Sequence, residues 1–150
     1  MATIEHKGIV YEEVDILSSS EVIDLEKINQ IKSDFEKEKC VENACEVAKV
    51  LNIKCVEGFV ICMVTNGSEI DDKVIRHCWN KIDDKYFDVT KDFVWPEFNF
   101  IAQKLSYFPI GEYEHSDYSF ENGKLFNSEA VQIAKELDEI WKKNIEEEEE

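Results

Sequence analysis

Cys40, His77 and Asp88 are the residues whose types and order point to a reaction. Cys40 stands in Lys39-Cys40-Val41-Glu42-Asn43-Ala44, where a helical pattern begins. His77 lies within the apolar run Val74 to Trp79, and Asp88 closes Lys85-Tyr86-Phe87-Asp88-Val89-Thr90. A thiol before a helix, a histidine in one strand and an aspartate ending the next are, in that order, the groups of a cysteine-nucleophile site. A thiol attacks well only once ionised. The free N–H groups and dipole at a helix N-terminus stabilise a thiolate, and a protonated His77 nearby adds a full charge. Such settings lower a cysteine pKa from about 8.5 to roughly 3.5–7.5. Asp88 would orient the imidazole and stabilise its charged form, letting His77 deliver a proton to a leaving group. The Cys40 backbone N–H is the natural first donor of an oxyanion hole; for the second, Gln30, Asn29 and Asn43 are candidates, and the spacing selects none of them. Taken singly, these residues read more simply as a core thiol, a satisfied strand histidine and a turn aspartate. Their joint order is what favours a site.

Three strands follow the thiol-bearing helix: about 54–64, 74–82 and 85–91. Asp83-Asp84 forms a tight hairpin between the last two, and Asn66-Gly67-Ser68 with Asp71-Asp72 forms a solvated loop between the first two. Strand alternation puts His77 and Trp79 on one face and Arg76, Cys78 and Asn80 on the other. Counting outward from the Asp83-Asp84 turn pairs Ile82 with Lys85, Asn80 with Phe87 and Trp79 with Asp88. His77 is then diagonal to Asp88, or directly opposite with a bulge. The helix itself spans about 41–51, with Ala44, Val47, Ala48 and Leu51 on its inner face. Cys45 lies about 140° around it from Cys40, so the two thiols cannot share one site.

This segment resembles the transglutaminase-like branch of the papain-like cysteine enzymes. A small-protein version of that pattern reads C-x-x-N-A, V-E-G, H-A-W and D-x-T, and it is met here as Cys40-Asn43-Ala44, Val56-Glu57-Gly58, His77-Trp79 and Asp88-Thr90. The match covers about a third of the chain. It departs from the pattern at Cys78, where a small residue is usual, in the absence of a glycine before Cys40, and in a helix about one turn shorter than in the larger transglutaminases. The resemblance implies a papain/transglutaminase-like core with Cys40, His77 and Asp88 catalytic, and with Asn43, Trp79, Thr90 and Gly58 in support. Gly58 would permit close backbone approach.

The rest of the chain supplies packing. Residues 6–15 carry a short apolar centre at Ile9, Val10 and Tyr11, expected as a strand or an extended arm. Ser18-Ser19-Ser20 offers N-caps to a helix running to Lys37, with Val22, Leu25, Ile28, Ile31 and Phe35 on one face. Residues 92–126 are rich in aromatics and interrupted by Pro96 and Pro109, which predicts short pieces, one of them Glu97 to Leu105, bordering the cleft. These aromatics read as core more readily than as a peptide grip. A last helix starts at Asn127 or Ser128 with Val131, Ala134, Leu137, Ile140 and Trp141 on one face. The like-charge run 146–150 is expected to be disordered, since negative charge at a helix C-terminus opposes the dipole.

The chain has 150 residues, 43% hydrophobic and 11% aromatic, enough for one domain over 1–145 that buries about two-thirds of its unfolded surface. Its formal charge is -17, and removing the five glutamates 146–150 still leaves -12. That acidity makes nucleic acid and anionic membranes poor partners, because phosphate binding needs clustered Lys and Arg. A basic peptide or protein surface suits it better, unless the charge serves solubility alone. No N-terminal apolar signal segment and no membrane-spanning run is visible, so a cytoplasmic protein is expected. The five cysteines, at 40, 45, 55, 62 and 78, are an odd number without a C-x-x-C pair. They are read as reduced thiols, four of them core residues. Zinc, the competing use of Cys and His, usually shows paired short spacing that is lacking here, so no metal or cofactor is expected. His6 and His115 look like surface residues.

These features predict an α+β fold: a helix with Cys40 at its N-terminus, packed on a small antiparallel sheet and flanked by N- and C-terminal helices. The function expected is a cysteine-dependent acyl transfer through a thioester, by default the hydrolysis of a peptide or isopeptide-like amide. A non-catalytic module of the same fold that engages a basic partner is the alternative, and an acetyltransferase-like enzyme acting on a small amide is a third. Substrate and oligomeric state are not legible.

Overall fold

The computed structural model describes residues 2–24, 26, 27, 29, 40–66, 69–94, 104–114 and 128–149, with backbone alone at 64–66, 69–72, 128 and 141–149. In chain order the elements are β1 (Thr3–His6), β2 (Ile9–Glu12), β3 (Ile16–Leu17), α1 (Ser19–Val22), α2 (Cys40–Leu51), β4 (Lys54–Asn66), β5 (Glu69–Ile82), β6 (Lys85–Phe87), β7 (Lys104–Tyr113) and α3 (Ser128–Glu149). A single π-helical turn over Thr90–Val94 follows β6. The architecture is α+β: a two-stranded hairpin, β1-β2, and a five-stranded sheet in the order β3-β6-β5-β4-β7.

The centre of the sheet is the β4-β5 hairpin, whose register runs unbroken from Lys54 opposite Lys81 to Asn66 opposite Glu69. Pairing thus continues through Asp71 and Asp72, where a solvated loop was expected. The two strands satisfy each other's backbone groups beyond the apolar core, and 67–68 lie outside the described residues. The sheet is mixed rather than antiparallel, because β3 pairs β6 in parallel, Ile16 with Tyr86 and Leu17 with Phe87. The register inferred from the Asp83-Asp84 turn is the one observed: Ile82 opposite Lys85 and Asn80 opposite Phe87. Asp83 takes a left-handed φ of 53°, a conformation Asp tolerates in tight turns. The third strand ends at Phe87 rather than at 91.

Two helices share one face of the sheet. The first turns of α2 pack Val41, Ala44, Cys45 and Ala48 on Cys55 and Cys78. Asn80, fully buried, donates to the Ala44 carbonyl at 2.9 Å and so ties the helix to the strands. Helix α2 ends at Asn52, which adopts the left-handed φ of 54° common at such ends, with the Ile53 N–H bonded to the Ala48 carbonyl. Farther along the same face, Ala134 and Leu137 of α3 pack with Phe59, Val74, Phe108 and Tyr11. The buried stripe of α3 is therefore Ala130, Ala134 and Leu137, whereas Val131 and Ile140 face outward. The Trp141 side chain lies outside the described residues, as does Asn127. Glu136 of α3 holds the β1-β2 turn by accepting from Lys7 and contacting His6, so His6 is half-buried and paired rather than a free surface residue. The opposite face collects Val56, Val60, Cys62, Trp79 and Tyr107.

Three further expectations are corrected. Helix α1 has one turn, because Ile23 is already extended. Asp24 then accepts from the Glu26 N–H, and residues 26, 27 and 29 are helical, so a fresh cap interrupts the single long helix the periodicity predicted. Leu25, Ile28, Ile31 and Phe35 lie outside the described residues. Pro109 does not break its segment but sits inside β7, an edge strand, where a missing N–H costs no ladder bond. The piece expected over Glu97–Leu105 is described only from 104 onward, and His115 and the aromatics Trp95, Phe98, Phe100, Tyr118, Phe120 and Phe126 lie outside. Finally, α3 continues through Glu149, so the acidic run is helical to that point: glutamate is a good helix former, and the end charges oppose the dipole only weakly.

Gly58 shows why a residue without Cβ is required at one place. A Cβ there would stand 2.1 Å from the Phe108 carbonyl oxygen, 2.8 Å from Trp79 Cη2 and 2.9 Å from Pro109 Cα. The β4-β7 register slips beside it, between Glu57 and Gly58, so β7 and the indole close on bare backbone. Gly58→Ala is expected to cost about 1–3 kcal/mol through overpacking, measured as a lower denaturant midpoint with unchanged slope.

Candidate functional site

Asp88 is the first residue after β6 and is fully buried. Its two carboxylate oxygens serve different ends. Oδ1 accepts the backbone N–H groups of Thr90 at 3.1 Å and Lys91 at 3.3 Å, capping the π-helical turn. Oδ2 lies 2.7 Å from His77 Nε2 and accepts the Tyr107 hydroxyl, also at 2.7 Å. The D-x-T spacing thus has a local meaning: an aspartate that caps the turn it precedes leaves its other oxygen aimed at the neighbouring strand.

His77 sits opposite Gly58 in the sheet and is 2% exposed. The indole of Trp79 lies alongside its ring, with centroids 6.2 Å apart and planes 25° from parallel, and Trp79 in turn meets Tyr107 edge-on at 5.1 Å. The imidazole is therefore held between a carboxylate and an aromatic wall. Strand β6 pairs β5 only over Asn80–Ile82, so no described strand accompanies β5 at His77 on that side. There the first residue of α2 comes in. Cys40 packs in the cluster that contains Cys78, close enough to His77 and Cys78 for each to act on its titration.

The electrostatics favour a charged pair. A hydrogen bond donated by the Cys78 thiol is the strongest influence on Cys40; burial opposes it, and the charge and hydrogen bond of His77 and the charge of Arg76 add to it, so the Cys40 thiol is held well below its ordinary pKa. Burial alone would discharge His77, but the Asp88 carboxylate and the Cys40 sulfur overcome it and raise the ring to about 10. Asp88 is depressed despite its burial, by the charge and hydrogen bond of His77 and then by the Tyr107 hydroxyl. All three shifts run the same way, toward thiolate, imidazolium and carboxylate.

The remaining thiols are arranged oppositely. Cys78 is raised well above the usual value, first by its bond to Cys40 and then by burial. Cys45 is raised by its bond to Cys55 and by burial, and Cys62 is pushed up to about 12 by burial and the Asp88 charge. Cys40 is half-buried, while the other four are buried.

The structure brings together all three residues expected to react. Of the four expected supports, Trp79 and Gly58 are placed as above. Asn43 and Thr90, both buried, bond to each other through Asn43 Nδ2 and Thr90 Oγ1 at 3.1 Å, fastening α2 to the turn that Asp88 caps. Among the second-donor candidates, Asn43 is thus committed to Thr90, Asn29 is exposed, and Gln30 lies outside the described residues.

Two contributors were not foreseen. Tyr107 is one of many aromatics in a segment without clear periodicity, and only the β4-β7 register, which sets it opposite Val60, reveals its role. Glu57, fully buried, accepts from Arg76 Nε at 2.8 Å and from a second guanidinium nitrogen, holding beside Cys40 a cation that helps keep the thiolate. Glu57 pairs with Cys78 and Arg76 lies two residues before it on the same face, the one signal by which the pair was legible. Among the described residues no three His, Cys, Asp or Glu side chains are grouped to hold a metal ion, and no helix is long and apolar enough to cross a membrane.

Tyr107→Phe removes one donor from Asp88 Oδ2. The Asp88 pKa then rises, and the stability it contributes, present above about pH 4 and lost as pH falls through its folded value, shrinks from the acid side. The expected result is a loss of about 1–3 kcal/mol and an acid-unfolding midpoint moved to higher pH, both read by tryptophan fluorescence.

Comparison of the chain with protein-family models, curated proteins and solved structures returns no match.

Proposed function

We propose that this protein is a cysteine-dependent acyl-transfer enzyme with a papain/transglutaminase-like core, acting on an amide through a thioester. The observation that carries the reading is the convergence of a half-buried thiol at the first position of a helix with a buried His77–Asp88 pair whose Nε2–Oδ2 distance is 2.7 Å. Many buried histidines pair with a carboxylate, but fewer also lie beside a thiol held well below its ordinary pKa. That combination is how a nucleophile is activated.

In this mechanism the Cys40 thiolate attacks the amide carbonyl carbon. The developing oxyanion is met by the Cys40 backbone N–H at the start of α2. As the tetrahedral intermediate collapses, the C–N bond breaks and the His77 imidazolium protonates the departing amine, leaving a thioester on Cys40. Neutral His77 then takes a proton from water as it attacks the thioester, releasing the acid and restoring the thiolate–imidazolium pair. Asp88 stays ionised throughout, fixing the ring and its charge. An amine in place of water would give transamidation.

The acceptor and substrate class are separable in one experiment. The protein is incubated with an unstructured, lysine- and glutamine-rich polypeptide, with and without a primary amine, and the products are sequenced by mass spectrometry. New chain ends mark hydrolysis of the backbone, glutamine converted to glutamate marks deamidation, and amine incorporation marks transglutamination. Each is expected to vanish in Cys40→Ala. Tight binding of the polypeptide without any of these products would favour the alternative, a binding module that uses the charge of -17 to engage a basic partner.

A further inference from the structure

The five cysteines fall into two pairs and a single residue. Cys45 and Cys55 lie with their sulfurs 3.8 Å apart, 3% and 0% exposed. Cys40 and Cys78 form the second pair: Cys40 packs on the cluster that contains Cys78, where α2 meets the sheet, and each shifts the other's titration. Cys62 stands apart on the opposite face with Val56, Val60 and Trp79. An oxidant from solvent meets these pairs differently. Peroxides react with thiolates that they can reach. Cys45 and Cys55 are enclosed, whereas Cys40 is half-buried at the first position of a helix beside the His77 imidazolium.

We propose that Cys40 and Cys78 form a reversible disulfide switch set by peroxide, in which Cys40 is oxidised and Cys78 resolves it. The Cys40 thiolate attacks one oxygen of hydrogen peroxide; the S–O bond forms, the O–O bond breaks, and hydroxide leaves. Sulfur loses the two electrons that peroxide gains, giving a sulfenic acid. The Cys78 sulfur then attacks the Cys40 sulfur. The S–S bond forms, the S–O bond breaks, and the hydroxyl departs as water with the proton of the Cys78 thiol. The two side chains already share one cluster, and the bond requires their sulfurs to come to about 2.05 Å. Cys78 itself is buried and held as a neutral thiol, so it is spared direct oxidation and kept for the second step. In a reducing compartment thiol reductants return the pair to the dithiol, so the disulfide forms transiently, as sensing cysteines do.

The residue that stands where the resembling pattern has a small one thus acquires a use. Oxidation takes Cys40 out of service without carrying it to the irreversible sulfinic state. The inference needs only the paired thiols and not the acyl transfer, so its test reads sulfur chemistry and leaves activity aside.

The full chain is treated with hydrogen peroxide, free thiols are alkylated under denaturing conditions, and the digest is analysed by mass spectrometry before and after reduction. The expected product is a crosslink between the peptides bearing Cys40 and Cys78, reversed by dithiothreitol, with Cys45, Cys55 and Cys62 still free. In Cys78→Ala the crosslink disappears and Cys40 yields a dimedone adduct. The proposal is overturned if wild-type Cys40 passes to sulfinic acid while Cys78 stays a free thiol, if Cys45 and Cys55 crosslink first, or if all five thiols stay reduced. The wild-type result decides alone should the variant fail to fold.

Discussion

Replacing His77 with alanine moves the inflection of Cys40 alkylation by iodoacetamide up toward the free-thiol value of about 8.5. The imidazolium supplies both a charge and a hydrogen bond that favour the thiolate, and both are lost. The bond from Cys78 and the charge of Arg76 remain, so the shift is large but incomplete. The rate change depends on pH. A low-pKa thiolate is more abundant in acid but intrinsically less nucleophilic, with a Brønsted coefficient of about 0.4–0.5. The wild type is therefore expected to react roughly tenfold faster than His77→Ala at about pH 6, with the gap closing near neutrality and reversing at higher pH. A profile identical in both proteins would mean that His77 does not act on Cys40.

The second large effect is on stability. Asp88→Ala leaves the His77 ring buried without its carboxylate, strips Tyr107 of its acceptor and uncaps the turn at Thr90. Breaking one side of a buried ion pair costs about 3–5 kcal/mol. The pH dependence has a definite sign. Asp88 is depressed, so its contribution is complete above about pH 4 and is lost as pH falls through its folded value. His77 is raised to about 10, so its contribution is complete below the unfolded value near 6.5 and is lost as pH rises through about 10. The stability gap between wild type and Asp88→Ala should therefore be widest between about pH 4 and 6.5 and narrow on both sides. Urea unfolding across that range measures it; a gap independent of pH would mean that the pair is not charged in the folded protein.

Much of this site was legible because short-range rules decide it. A two-residue turn at Asp83-Asp84 sets the pairing of the strands on either side, and with it the diagonal relation of His77 to Asp88. Alternation sets His77 and Trp79 against Arg76, Cys78 and Asn80. What escaped depends on contacts distant in sequence. Tyr107 reaches Asp88 only because β7 adds to β4, and Pro109 hid that strand, since its tolerance at an edge cannot be read without knowing where the edge is. The closeness of Cys40 and Cys78 likewise needs α2 to be laid on β5, which is fixed by Asn80 bonding to the Ala44 carbonyl. The interrupted N-terminal helix was missed for a local reason: its apolar spacing reads through Asp24, while the carboxylate of Asp24 starts a new helix.

The most direct measurement is acyl trapping. The protein is mixed with an activated ester such as p-nitrophenyl acetate at about pH 6, where lysines are protonated and ordinary thiols are largely neutral, quenched in acid and mapped by mass spectrometry. The account predicts an acyl group on Cys40, released by hydroxylamine, absent in Cys40→Ala and much reduced in His77→Ala. Acylation spread over the cysteines and lysines, with Cys40 no more reactive than the rest, would contradict it.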